Sequence, residues 1–209
     1  MKTLMMAVVL ALFANMGWAQ TETTVESRFG ATSHAQTLRM LEVYQTRGNS
    51  VAWDLGHIDF GAEGYHELFV GVGHIFTPYK KLTLIEELYF VQAVGADANG
   101  ARYVQPFTVA IIPVTAKLGG FVKYFPYVPL NHAARIQHVL DEASLKYDFG
   151  RFKLGGGYAA YRYGDQAWDQ LPFVSGVIKL GRAGALDVWF QKTLSGNQIR
   201  FNYSLSRKK

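Results

Sequence analysis

From Ile199 to Leu205 apolar and polar side chains alternate. Ile199, Phe201, Tyr203 and Leu205 fall on one face of an extended chain, and Arg200, Asn202 and Ser204 fall on the other. A helix would mix the two sets, so the period of two predicts a strand with one apolar and one polar face. The run before it sets Leu186, Val188 and Phe190 against Asp187, Trp189 and Gln191, and Ser195-Gly196-Asn197 joins the pair as a short hairpin turn.

The same pattern continues toward the N-terminus and predicts twelve strands, at about 23–33, 37–46, 50–59, 66–76, 82–92, 102–113, 118–128, 143–149, 152–163, 171–180, 185–194 and 198–205. Most runs have about ten residues, the length a tilted strand needs to cross hydrocarbon. Short and longer connections tend to alternate. Arg47-Gly48-Asn49, Pro78-Tyr79-Lys80, Gly150-Arg151 and Gly181-Arg182-Ala183-Gly184 are tight turns; Phe60 to Tyr65, Ala93 to Ala101, Pro129 to Glu142 and Gly164 to Gln170 are longer. Transmembrane barrels have short turns at one rim and longer loops at the other, and twelve strands bring both termini to the short-turn rim. The first and last hairpins depart from this rhythm. One segment departs from period two: Ile136, Val139, Leu140 and Ala143 share a helical face after Asn131, a potential cap, so residues 131–143 are expected to form a short helix or an extended strand within the longer connection.

The first residues follow another logic. Lys2 precedes an apolar run from Leu4 to Phe13, and Gly17 and Ala19 place small residues three and one positions before a cut after Ala19. This is the layout of a secretory signal peptide, so residues 1–19 are set apart from a single domain at 20–209. The apolar run is about half of the roughly 20 residues a spanning helix requires.

Composition agrees with interleaved patterning. Hydrophobic residues make up 49% and aromatics 14% of the chain, yet mean hydropathy is only +0.02. There are no cysteines, which excludes disulfides and thiolate metal sites. Net charge is +5 before Lys2 is removed, compatible with anionic lipopolysaccharide or anionic solutes without specifying either. Internal repeats, linkers and composition shifts are absent from the sequence. The expected fold is all-β: a single antiparallel transmembrane β-barrel of about 12 strands. Trp53, Phe60, Tyr65, Phe76, Tyr79, Phe90, Tyr103, Tyr124, Tyr127, Tyr163 and Trp168 lie toward run ends, where a lipid-water boundary favours aromatics.

If the apolar set of each run faces lipid, the interior carries Arg28, Asp54, Glu67, Glu87, Lys123, Lys153, Lys179, Asp187 and Arg200, together with Thr83, Ser175, Gln191 and Asn202. Gly71, Gly73, Gly155 and Gly157 are expected to thin the wall. Charges of both signs can line a wet pore and orient a small polar solute, or pair across the lumen and seal it. Twelve strands leave room for a channel, since eight enclose an interior that side chains nearly fill. Glu86 and Glu87 are adjacent, so a regular strand turns one of them toward lipid unless a bulge brings both inside or Glu86 meets a pore rim or a protein contact.

Other chemistry is weakly supported. His66 and His74 are eight residues apart on one strand face, too far to share a metal. His132 and His138 fall in an expected external segment. His138, Asp141 and Ser144 loosely resemble a hydrolase triad but lack a glycine-flanked nucleophile. Gly155-Gly156-Gly157 lacks the lysine and helix of a phosphate loop.

The run Leu145-Lys146-Tyr147-Asp148-Phe149-Gly150-Arg151-Phe152-Lys153-Leu154 reads as strand, tight turn, strand. With the signal peptide, strand number and hairpin rhythm, it makes the whole mature chain resemble small bacterial outer-membrane barrels, including twelve-stranded oligosaccharide and nucleoside channels. The resemblance is one of layout and rests on no residue motif. It implies residence in the outer membrane, contact with its lipids and lipopolysaccharide, insertion by the outer-membrane assembly machinery, and no cofactor or nucleic acid. Such barrels usually end on an aromatic residue that this machinery reads; here Ser206-Arg207-Lys208-Lys209 follows Tyr203 and Leu205, and either unusual recognition or a non-native tail is expected. The first functional expectation is a passive channel for small hydrophilic solutes. The alternatives are a sealed structural or docking barrel, a lipid- or lipopolysaccharide-modifying barrel enzyme, and a soluble periplasmic barrel.

Overall fold

Twelve strands run up and down in sequence order: β1 (Thr21–Thr32), β2 (Gln36–Arg47), β3 (Ser50–Asp59), β4 (His66–Tyr79), β5 (Leu82–Val94), β6 (Arg102–Pro113), β7 (Leu118–Pro129), β8 (Gln137–Asp148), β9 (Phe152–Tyr163), β10 (Asp169–Leu180), β11 (Gly184–Thr193) and β12 (Gly196–Lys208). The computed structural model describes residues 21–208 except 34, 62, 63, 80, 132–134, 194 and 195. The expected signal peptide and His132 lie outside the described residues. Each strand pairs antiparallel with its sequence neighbours, and β1 also pairs with β12, which closes the ring. Closure gives every strand a partner on both sides, the condition for crossing hydrocarbon with strands.

The alternation seen in the sequence becomes two surfaces. Outside, Leu41, Leu55, Leu68, Val70, Leu88, Phe90, Val174, Phe190 and Phe201 are all exposed. A band of this kind around a closed sheet fits a hydrocarbon surrounding, because water would leave far more contiguous apolar surface exposed than soluble proteins carry. Inside, charged and polar groups such as Glu42, Asp54, Glu67, Lys123 and Arg200 are buried beside aromatics such as Tyr89, Phe107 and Trp189. The tight turns use glycine where the backbone enters the left-handed region, as at Gly48 (φ 57°) and Gly150 (φ 96°).

Three open expectations are settled. Residues 137–143 take the extended-strand alternative: β8 begins at Gln137, and the longer connection spans 130–136. The cause is a bulge between Leu140 and Ala143, opposite β9, which sends both Asp141 and Glu142 toward the lumen. The bulge slips the outward phase by one residue, so Leu140 and Ala143 share a face at a spacing of three and imitate a helix. Second, β5 has no bulge at Glu86-Glu87; its pairing with β4 and β6 stays in step there, leaving Glu87 inside and Glu86 exposed outside. Third, the residues after Leu205 continue β12, with Ser206 bonded to Thr24 at 2.8 Å and Lys208 3.5 Å from Glu22.

Candidate functional site

Asp141 is the hub of the interior. From β8 its carboxylate accepts a hydrogen bond from Arg28 Nη1 of β1 at 2.7 Å and from Arg200 Nη2 of β12 at 3.0 Å, and Lys123 Nζ of β7 stands 3.8 Å away. β1 and β8 are five places apart around a twelve-strand ring, so the Arg28–Asp141 contact spans the lumen rather than stapling neighbours. A second crossing joins Lys146 of β8 to Asp187 of β11 at 2.6 Å, and Lys146 also lies 3.0 Å from Glu142. Charge-assisted bonds of these lengths are strong, and buried charges of this kind require them.

These crossings divide the interior. Toward the longer connections lies a cavity of about 770 Å³; toward the short turns lies one of about 580 Å³; Arg28 and Arg200 line both. The upper cavity is two-sided. Its β4–β7 wall is aromatic: Tyr89 meets Phe69 and Phe107 edge-on, with centroids 5.5 and 5.1 Å apart, and Phe107 stacks on Phe125 at 5.2 Å. The facing wall offers Gln137, Gln191, Gln198 and Arg200. Gln198 donates to Thr37 across the β1 strand between them. Below, Trp189 stacks on Phe173 at 3.7 Å, and the Arg200 guanidinium lies 4.4 Å from its ring centroid.

Acidic groups also gather on the β2, β3 and β5 arc. Tyr89 lies within hydrogen-bonding reach of Asp54 (2.6 Å) and Glu87 (2.9 Å), with Glu42 nearby in the same small cavity. No salt bridge among the described residues involves Glu42, Asp54 or Glu87. Higher in the lumen, Tyr65 and Tyr127 both donate to Glu67, at 2.8 and 2.9 Å.

The nine sequence-selected residues thus have definite places. Arg28, Lys123 and Arg200 surround Asp141. Asp54 and Glu87 share Tyr89, and Glu67 holds two tyrosines. Lys153 and Asp187 line the lower cavity, and Lys179 bonds Asp148 at 2.8 Å at the short-turn mouth. Sequence reasoning missed Asp141 and Glu142, because it placed both in a loop, and passed over Glu42 and Lys146. Strict alternation from Met40 to Tyr44, and from Ser144 to Asp148, would have found the last two.

At the inward glycines, a Cβ on Gly71 would stand 2.5 Å from the Tyr89 ring, and one on Gly157 only 1.9 Å from the Ala143 carbonyl oxygen. They admit a ring and close backbone approach. Tyr65, Tyr103 and Tyr127 leave the outer aromatic girdle, since Tyr65 and Tyr127 bond Glu67 inside and Tyr103 packs edge-on against Tyr127 at 5.4 Å. His138 is a strand residue, and the hydrolase-like triad does not assemble: His138 Nδ1 pairs with the Tyr124 hydroxyl at 2.7 Å, whereas Ser144 donates to Glu142 at 2.5 Å. Among the described residues no group of three or more histidines and carboxylates could hold a metal ion.

A twelve-strand closed ring with a charged interior invites comparison with solved barrels. The structure described as "KdgM porin" superposes with a TM-score of 0.63 over 87% of this chain and 98% of its own, at 12% identity. The fold is that of the twelve-stranded porins. "KdgM porin in complex with disordered oligogalacturonate" gives a TM-score of 0.62 at 11% identity, covering 87% of this chain and 98% of that one. A NanC porin structure gives 0.60 at 10% identity, covering 90% and 99%. No protein-family model matches the chain, and no curated protein matches it. At these identities the likeness is one of architecture, and the interior of this barrel has to be read from its own residues.

Proposed function

We propose that the chain is exported by its signal peptide to the bacterial outer membrane and serves there as a passive channel for small hydrophilic solutes, with the Asp141 cluster as its constriction. The observation that carries this is the pair of cavities, about 770 and 580 Å³, meeting at Arg28 and Arg200 inside a closed sheet with an apolar exterior. Fixed charges of both signs at the narrowest point filter by size and charge while the vestibules remain wet. The likeness to porins, one of them solved with oligogalacturonate, supports the class of function. In this lumen the three cations around Asp141 are offset by an acidic arc at Glu42, Asp54 and Glu87. We therefore assign it a weak preference between small anions and cations. Arg28, Lys123, Asp141 and Arg200 are the residues proposed to set passage, with Lys146 and Asp187 below them.

One observation favours a second reading. The Arg28–Asp141 and Lys146–Asp187 contacts cross the lumen, so the resting barrel could be sealed and act as an anchoring or docking element. Single-channel recording of the refolded mature protein in planar bilayers separates the two. Discrete steps with a finite reversal potential in a salt gradient are expected; silence from inserted, folded protein would leave the sealed barrel.

A further inference from the structure

The outer wall carries a carboxylate well inside its short-turn edge. Glu86 projects from β5 among the exposed Val72 and Leu88, opposite His74 of β4 and Thr108 of β6 in register. It is the fifth residue of β5 from the short-turn end, about 10 Å into the wall for strands rising roughly 3.4 Å per residue and tilted near 40°. A carboxylate at that depth is costly against hydrocarbon. The strand does not relieve the cost by bulging, as β8 does at Asp141-Glu142. Thr108 Oγ1 donates to Glu86 Oε2 at 2.7 Å, which satisfies one acceptor and holds the side chain outward.

His74 sharpens the anomaly. It sits beside Glu86 on the same outer face, yet no ion pair links them among the described residues; its ring lies 4.6 Å from Phe76, while Glu86 is bonded on the opposite side to Thr108. Beside Thr108, β7 presents Tyr124, whose hydroxyl pairs with His138 Nδ1 of β8 at 2.7 Å, so polar groups continue along this outer face from β4 to β8.

We propose that this face, centred on β4 and β5, is a self-association surface through which two copies of the chain pair side by side in the membrane. The occupant follows from charge complementarity and symmetry. Two copies inserted the same way can form a closed pair only about a twofold axis along the membrane normal. With that axis between β4 and β5, His74 of each copy faces Glu86 of the other at nearly the same depth. One adjacent pair of residues therefore makes two intermolecular contacts, and the carboxylate that lipid would leave unmatched gains a cation or hydrogen-bond donor. The inference rests on the barrel lying in a membrane, which is checked separately by whether the mature protein requires detergent or lipid to remain in solution.

The test measures the mass of the full mature protein in lipid nanodiscs loaded at limiting scaffold, with heat-dependent mobility on denaturing gels as the folding control. Wild type is expected as a dimer, His74→Glu and Glu86→His each as folded monomers, and the charge-exchanged double variant as a dimer again, because the exchange keeps each histidine opposite a carboxylate. A wild-type monomer, or a double variant that stays monomeric while folded, overturns the proposal. In this cysteine-free chain Leu88→Cys, one layer from the axis, is expected to cross-link to its own copy in native membranes at least tenfold faster than Val174→Cys on β10. Equal rates mean random collision, and a cross-link to a different protein assigns the face to another partner; either result sinks the self-association.

Discussion

Replacing Asp141 by asparagine removes one negative charge from the centre of the lumen and keeps the side chain's shape. Two effects follow. Arg28 and Arg200 lose the carboxylate that each meets at 2.7 and 3.0 Å. Removing one partner of a buried ion pair costs about 3–5 kcal/mol, and the amide oxygen of asparagine, still an acceptor, places the loss at the low end. The second effect concerns permeation. A unit charge about 6 Å from a passing monovalent ion changes its energy by about 0.7 kcal/mol in water, attracting one sign and repelling the other, so the anion-to-cation permeability ratio should rise about tenfold.

The assay is the reversal potential of single channels under a salt gradient near 10 mM, where the screening length is about 30 Å; near 1 M it is about 3 Å, and the difference from wild type should disappear. A folded Asp141→Asn barrel with the wild-type reversal potential at low salt would refute the argument, because the permeation path would then avoid the cluster. If wild type is silent and the variant conducts, the crossing ion pairs seal the resting barrel and the docking reading gains. A drop in the temperature at which the folded gel band is lost accompanies either outcome.

Other substitutions probe different parts of the same interior. Trp189→Ala removes the partner of Phe173 and the ring beneath Arg200, and is expected to cost about 3–5 kcal/mol while raising conductance, read together by thermal melting and bilayer recording. Gly157→Ala forces a Cβ to within 1.9 Å of the Ala143 carbonyl oxygen, so refolding yield should collapse; Gly181→Ala, where no atom lies within 4 Å of the added Cβ but φ is 69°, should fold with only a small loss. Lys179→Gln breaks an exposed pair with Asp148 at the mouth and should leave the melting temperature unchanged, whereas Arg200→Gln, inside the cluster, should lower it clearly.

How much of this was legible in the sequence depends on where the period of two holds. In β11 and β12 it holds throughout, and Asp187, Arg200 and Asn202 could be assigned to the interior before any coordinates were known. Glu86 and Glu87 show the limit of that rule: adjacency announced a conflict, but only the paired register of β4, β5 and β6 shows that the wall keeps its phase and leaves Glu86 outside. Asp141 and Glu142 show the opposite resolution. There the strand spends one residue on a bulge, both carboxylates turn inward, and the same slip places Leu140 and Ala143 at helical spacing. Pattern reading failed at the hub of the lumen for the physical reason that makes it a hub. Three cations from β1, β7 and β12 converge on one point, and a regular β8 offering every second side chain would present Asp141 or Glu142 to the lumen but not both. Two carboxylates at one level, one answering Arg28, Lys123 and Arg200 and the other Lys146 and Ser144, require the extra residue. Deleting one residue at the bulge should restore alternation in β8, turn one carboxylate to the outer wall, and leave part of the cationic cluster without its partner.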